Sequence, residues 1–178
     1  MVIKILIALA VFVVTLLTIV LLQPSEYRVE RSTTISAPAS AVFAQVNDFH
    51  RWDAWSPWAK IDPAMKASFE GAPAGAGAIY SWTGNDNVGA GRMTITESHP
   101  DDLVRINLVF FKPFASTSAA EFTFKPNGDQ TTVTWSMSGQ KNFFSKAIHL
   151  LINMDKMLGG YFEQGLAQMK SVTEGAVN

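Results

Sequence analysis

The chain has 178 residues and a formal charge of −1, with 14 Lys and Arg against 15 Asp and Glu. Its five arginines and nine lysines are scattered, whereas a nucleic-acid surface carries a concentrated basic footprint, so no nucleic-acid partner is expected. Cysteine is absent, which excludes disulfides, thiolate nucleophiles and cysteine-bound metals.

The first element is a hydrophobic run. Ile5 to Leu22 is 18 residues without a charge, about 27 Å as a helix at 1.5 Å per residue, close to the hydrocarbon thickness of a bilayer. Thr15 and Thr18 can bond back to helical carbonyls, Lys4 can snorkel, and Gln23-Pro24-Ser25 stops the run. The competing reading is a cleaved signal peptide, which has a shorter apolar core and a small-x-small cleavage site. Here bulky residues continue to Gln23 and no Ala-x-Ala stands at the end of the run. The sequence therefore divides into an N-terminal transmembrane anchor, residues 1–25, and a domain, residues 26–178. Arg28 and Arg31 follow the span and only Lys4 precedes it, which leans against export of the domain. The very short first flank favours the opposite, N-inside and the domain on the extracytoplasmic side of the cell membrane. Without Lys4 the domain has 13 basic and 15 acidic residues, a charge of −2, and is long enough for one core.

Tyr27–Ser36 alternates as a strand. In the stretch that follows, Ser36 can cap, Pro38 suits a first helical turn, and Val42, Phe43 and Val46 form one apolar face, so a helix is predicted to end near Asn47-Asp48. A second short helix is predicted over His50–Trp55, cut off before Pro57. The period then becomes two. Strands are predicted over 66–70, 78–83, 91–98, 103–111, 119–125 and 131–138, separated by turn sequences such as Gly84-Asn85-Asp86-Asn87 and Pro126-Asn127-Gly128-Asp129. Parity places Tyr80 and Trp82, Met93 and Ile95, and Val133, Trp135 and Met137 on apolar faces, with Arg92 opposite Met93. The last segment has a helical period: Ile148, Leu151, Ile152, Leu158, Phe162, Leu166, Met169 and Val172 recur at three and four, interrupted by Asp155. It reads as one helix from about Ser145 to Thr173, with a bend at Gly159-Gly160. A strand, two short helices, six strands and a long helix make an α+β architecture. In it a twisted antiparallel sheet is covered on its concave face by the C-terminal helix.

Residues 35–58 (ISAPASAVFAQVNDFHRWDAWSPW), 77–97 (GAIYSWTGNDNVGAGRMTITE), 131–139 (TTVTWSMSG) and 153–170 (NMDKMLGGYFEQGLAQMK) resemble the START-like, helix-grip superfamily. The resemblance is to its polyketide cyclase/dehydrase and lipid-transport group, over about residues 26–174. A membrane-anchored bacterial branch of that group carries a similar apolar N-terminus. The resemblance implies a helix-grip fold with a cavity between sheet and C-terminal helix. It does not choose among cyclases, dehydratases, lipid carriers and receptors, which share the fold.

Candidate pocket residues are Trp58, Tyr80, Trp82, Met93, Ile95, Trp135 and Met137, with Leu158, Phe162 and Asp155 from the helix; Leu151 and Met154 could join them. A domain of this size needs many of these side chains to fill its core. Asp155 is the one charge on the apolar stripe, and a carboxylate buried there needs partners or a raised pKa; at a helix edge it pairs with the neighbourhood of Lys156 or with water. Trp52, Trp55 and Trp58 read either as a local aromatic core or as a pocket rim or membrane-facing patch. The three histidines lack metal-ligand spacing, and no nucleophile elbow, phosphate loop or dinucleotide fingerprint is present. Arg92, Glu97, Arg105 and Asp155 are the polar groups that a cyclase-like site would have to use. The expected function is non-catalytic binding of an apolar small molecule or lipid at a membrane, with neither cofactor nor metal. A cyclase/dehydratase-like enzyme and a membrane-anchored structural or protein-interaction domain are the alternatives. The enzyme, unlike simple binding, would require a polar pair within hydrogen-bond reach inside the cavity.

Overall fold

The structure, a computed structural model, describes residues 1–151 and 153–177. Helix α1 is Val2–Leu22, 21 residues long. It is long and apolar enough to cross a membrane, and the Thr15 and Thr18 hydroxyls donate to the carbonyls four residues back. Strand β1 (Glu26–Ile35) follows, then helix α2 (Ala39–Asn47) and a 3₁₀ helix, Phe49–Ala54. Six further strands come next: β2 (Lys66–Gly71), β3 (Ala78–Thr83), β4 (Ala90–His99), β5 (Leu103–Lys112), β6 (Ser116–Asn127) and β7 (Gln130–Gln140). Helices α3 (Phe143–Leu151) and α4 (Met154–Val177) close the chain.

The sheet is seven-stranded in the order β1-β7-β6-β5-β4-β3-β2, and every neighbouring pair is antiparallel. Five consecutive hairpins build β2 to β7, and β1 then pairs with β7. Alternate residues face inwards, as the period of two requires. Val29 and Ile35, Phe122 and Phe124, Val104 and Ile106, and Val133 and Trp135 are buried together. A register shift between Ile95 and Glu97 inserts one residue. Ile95 therefore stays opposite Ile106 on the inner face, while Glu97 comes to lie opposite Arg105 on the outer one.

The tryptophans explain how the short helices are held. The last carbonyls of an α-helix have no partner within it. Here the Trp55 indole N–H donates to the Gln45 carbonyl and the Trp52 indole N–H to that of Val46, both at 3.0 Å. Trp55 is fully buried and Trp52 nearly so. Two indoles thus cap α2 while their rings pack on Phe122 and Trp135 of the sheet.

The single long C-terminal helix expected from periodicity is two helices. Helix α4 starts after Asn153, whose side-chain oxygen accepts the Lys156 N–H at 2.9 Å and whose carbonyl accepts from Met157 N–H, an N-cap. Ile152, and the side chain of Leu151, lie outside the described residues. Gly159-Gly160 does not end a helix, since α4 runs through both. Gly159 instead provides clearance: a Cβ there would lie 2.1 Å from the Arg31 guanidinium. Likewise a Cβ on Gly165 would stand 3.0 Å from both Trp135 and Pro57, so α4 can approach the sheet closely at that point.

Candidate functional site: the concave face of the sheet

Helix α4 lies mainly along β1 and reaches β7 through Phe162, which stacks on Trp135 at 4.1 Å with the rings 11° apart. Phe122 stacks on the other side of the same group at 4.9 Å. This half of the concave face is filled: Phe162 and Trp135 are buried, as are Leu158 and Met137. Trp58 is only half-buried. It packs edge-on against Trp135 at 5.7 Å and tilted against Tyr161 at 5.6 Å, so it borders the filled half.

Over β3 to β5 the same face is less covered. Register places Tyr80 opposite Met93, Met93 opposite Leu108, and Trp82 opposite Gly91. Tyr80, Trp82, Met93 and Phe110 are half-buried against the core, while Ile95 beside them is buried. Their rings form a continuous series: Phe49 to Tyr80 at 6.0 Å, Tyr80 to Trp82 at 6.1 Å and Trp82 to Phe110 at 5.7 Å. Trp82 is fixed in place, because its N–H donates to the Val88 carbonyl at 3.0 Å and its ring lies over Gly91, where a Cβ would come within 2.4 Å. Burial, and after it the negative charge of Asp53, push the Tyr80 phenol above its usual pKa. Among the described residues, the Trp135 indole N–H and the Gln168 amide oxygen are buried side-chain polar atoms without a partner. Unpaired donors of this kind are uncommon in folded proteins.

Nine of the ten residues singled out from the sequence therefore lie on this face or pack towards it from the helix and loop that cover it. Asp155, though on the same helix, does not. It is exposed, and both its carboxylate oxygens accept from Arg31 at 3.0–3.1 Å. Arg31 also pairs with Glu163 at 2.7 Å. The hydrogen bonds from Arg31 hold the Asp155 carboxyl below its ordinary range, the reverse of what burial would do. Asp155 borders a separate open groove of about 620 Å³, with Gln23, Pro24, Lys141 and Met154, beside the end of α1. A larger open groove, about 1000 Å³, at the same end of the sheet is lined by both polar and apolar residues, among them Arg28, Asn107, Ala115, Ser118 and Ala119.

The other charged candidates lie on the outer face. Arg92 is exposed, and its Nε donates to Ser81 Oγ at 3.2 Å. Arg105 bridges Glu97 and Glu121, and Glu97 also meets His99 Nε2 at 2.8 Å; the Arg105 guanidinium lowers the Glu97 pKa. These groups are ion-paired on the surface away from the aromatic strip. No group of three or more His, Asp or Glu among the described residues converges as a metal site would.

The sequence profile of the polyketide cyclase/dehydrase and lipid transport family matches residues 26–174. The chain belongs to this family. The matched span begins at β1 and ends inside α4, so α1 lies outside the family's domain. No curated protein matches the chain. Solved structures show the same fold. One is a protein from Chromobacterium violaceum, 15% identical, with a TM-score of 0.59 over 85% of this chain and 99% of that one. Another is a protein from Arthrobacter aurescens, 19% identical, with a TM-score of 0.57 over 81% of this chain and 86% of that one. A third is the Aha1 dimer of Colwellia psychrerythraea, 13% identical, with a TM-score of 0.56 over 83% of this chain and 96% of that one. The fold is thus that of a START-like helix-grip family member, of a kind consistent with binding a lipid or other small apolar molecule.

Proposed function

We propose that the domain binds an apolar small molecule or a lipid chain, without catalysis, against the concave face of the sheet over β3 to β5, and does so at a membrane to which α1 anchors it. The observation that carries this reading is the half-buried strip Tyr80–Trp82–Met93–Phe110, continuous with a filled core and held rigid by the Trp82 hydrogen bond. A ligand tail on this strip would remove apolar surface from water, worth about 25 cal/mol per Å². Trp58, half-buried at the border of the filled half, stands where a rim would be. The charged pairs that acid–base chemistry would use are engaged on the outer face, which favours binding over turnover. In this reading the domain lies on the extracytoplasmic side, and protease access in sealed, inverted vesicles tests that side.

The test of binding uses the full chain in detergent. Organic extraction followed by mass analysis should release a lipid or other apolar compound, and an apolar fluorescent dye should compete for its place. Met93→Lys sets an unpaired charge in the strip, and because such burial costs several kcal/mol, dye affinity should fall by about tenfold or more. A folded Met93→Lys protein that binds dye as the parent does would rule out the strip as the site.

A further inference from the structure

The end of the sheet nearest α1 carries a second apolar surface. Phe111, Phe114, Phe143 and Phe144 are exposed, from 48% for Phe143 to 64% for Phe114. They come from two separate places, the β5–β6 hairpin tip and the start of α3. Register brings them together: Glu26, the first residue of β1, is opposite Gln140, Gly139 is opposite Ser118, and Phe110 is opposite Ser116. The exit of α1, the hairpin tip and the entry to α3 therefore share one end of the sheet. The Lys141 N–H donates to the Ser25 carbonyl at 2.7 Å, tying the linker after α1 to the linker before α3. Phe114 and Phe144 are in ring contact at 5.8 Å, and α3 packs against α1. Lys112, Lys141 and Lys146 lie among these rings in the chain.

We infer that this end of the domain docks on the bilayer surface, with α3 lying in the interface and the Phe111–Phe114 hairpin tip dipping beside it. This rests on the reading of α1 as a membrane span. Exposed apolar side chains gathered at one place mark an interaction surface, and these adjoin the point where α1 would leave the bilayer. Short amphipathic segments with Phe on one side and Lys on the other lie in the headgroup zone. Each lysine near an anionic leaflet strengthens the association roughly fivefold. Docking converts a tether into an orientation. The sheet stands on the membrane by its α1 end, with the β6–β7 turn at the other end of β6, which at 12 residues spans about 36 Å.

The absence of cysteine makes the test direct. Phe114→Cys, Phe144→Cys, Leu16→Cys and Asp129→Cys are made singly in the full chain, labelled with a nitrobenzoxadiazole fluorophore and reconstituted in phosphatidylcholine vesicles, with and without phosphatidylglycerol. Lipids carrying a spin label high on the acyl chain quench probes at shallow depth, and labels deep on the chain quench probes at the centre. Circular dichroism establishes that each variant is folded. Docking predicts shallow quenching at positions 114 and 144, deep quenching at 16 and none at 129. Replacing Lys112, Lys141 and Lys146 by Gln should reduce quenching at 114 in the anionic vesicles. Deep quenching at 16 without quenching at 114 and 144 overturns docking and leaves the anchor standing. A label at 114 that enters an apolar environment without lipid quenching marks a protein neighbour and also overturns it. Quenching at 129 equal to that at 114 removes the orientation, and no quenching at 16 removes the anchor and the docking with it.

Discussion

Trp55→Ala tests the account of the core most sharply. The indole is fully buried, with ring centroids 4.7 Å from Trp52, 5.7 Å from Trp135 and 6.1 Å from Phe122. Truncation to alanine leaves a void walled by other large rings, which cannot collapse into it without leaving their own contacts. Such changes cost about 3–5 kcal/mol. The same truncation strips the Gln45 carbonyl of its donor, which places the cost towards the upper end of that range. For a chain of this length 1 kcal/mol moves the midpoint by about 2–4 °C, so the unfolding midpoint should fall by roughly 6–20 °C. Trp55→Phe keeps most of the volume and loses the N–H, and should cost a minor part of this. Trp58→Ala should also be mild, since that ring is half-buried and water can occupy the space it leaves. Near-ultraviolet circular dichroism and intrinsic fluorescence of the full chain in detergent follow the transition. If Trp55→Ala melts within about 2 °C of the parent, or Trp58→Ala is as damaging as Trp55→Ala, the division of the aromatic stretch into caps and rim is wrong.

Helix α1 should keep the protein in the pellet after alkaline carbonate washing; release with an intact N-terminus would reject integral anchoring, and a shortened N-terminus would identify a signal peptide. Residues 26–178 should fold without α1, giving cooperative thermal unfolding and a dispersed amide spectrum, because the sheet, α2 and α4 make their core with one another; a collapsed amide spectrum would show that the boundary is misplaced. Asp155 should titrate below an ordinary aspartate, because Arg31 bonds its charged form. Its pairing then stabilises the fold above the unfolded-state pKa and is lost as pH falls through the lower folded-state value. Asp155→Asn should therefore differ from the parent near neutrality and converge with it in acid, and titration of Asp155 at or above the ordinary value would contradict the pairing.

Local pattern made much of this molecule legible. Period-two alternation over 78–83, 91–98 and 131–138 yields strands whose inward faces, Tyr80 with Trp82, Met93 with Ile95, and Trp135 with Met137, are those of the structure, because a pleated strand has only two faces and one is apolar. The hydrophobic length of 5–22 is likewise a property of consecutive residues and needs no partner to be seen. The roles of the tryptophans needed the fold. Trp52 and Trp55 sit three apart, as does Trp58, and nothing local says that the first two indoles would find the last carbonyls of α2 while Pro57 leaves the third at the edge. Asp155 interrupts an apolar stripe in the sequence, yet its surroundings are set by Arg31, 124 residues away, and that neighbour reverses the direction of its pKa. The start of α4 at Asn153 was hidden because the apolar period continues on both sides of it, while the cap bond from Lys156 N–H to the Asn153 side chain leaves no mark on that period. The phenylalanines at the α1 end are the clearest case. Phe111, Phe114, Phe143 and Phe144 are unremarkable singly, and they come to one end of the sheet, with Phe114 against Phe144, only because antiparallel register carries the hairpin tip and the start of α3 to the end where α1 leaves. Sequence periodicity determines which way each side chain faces on its own element, but the pairing of distant elements decides which of those faces meet.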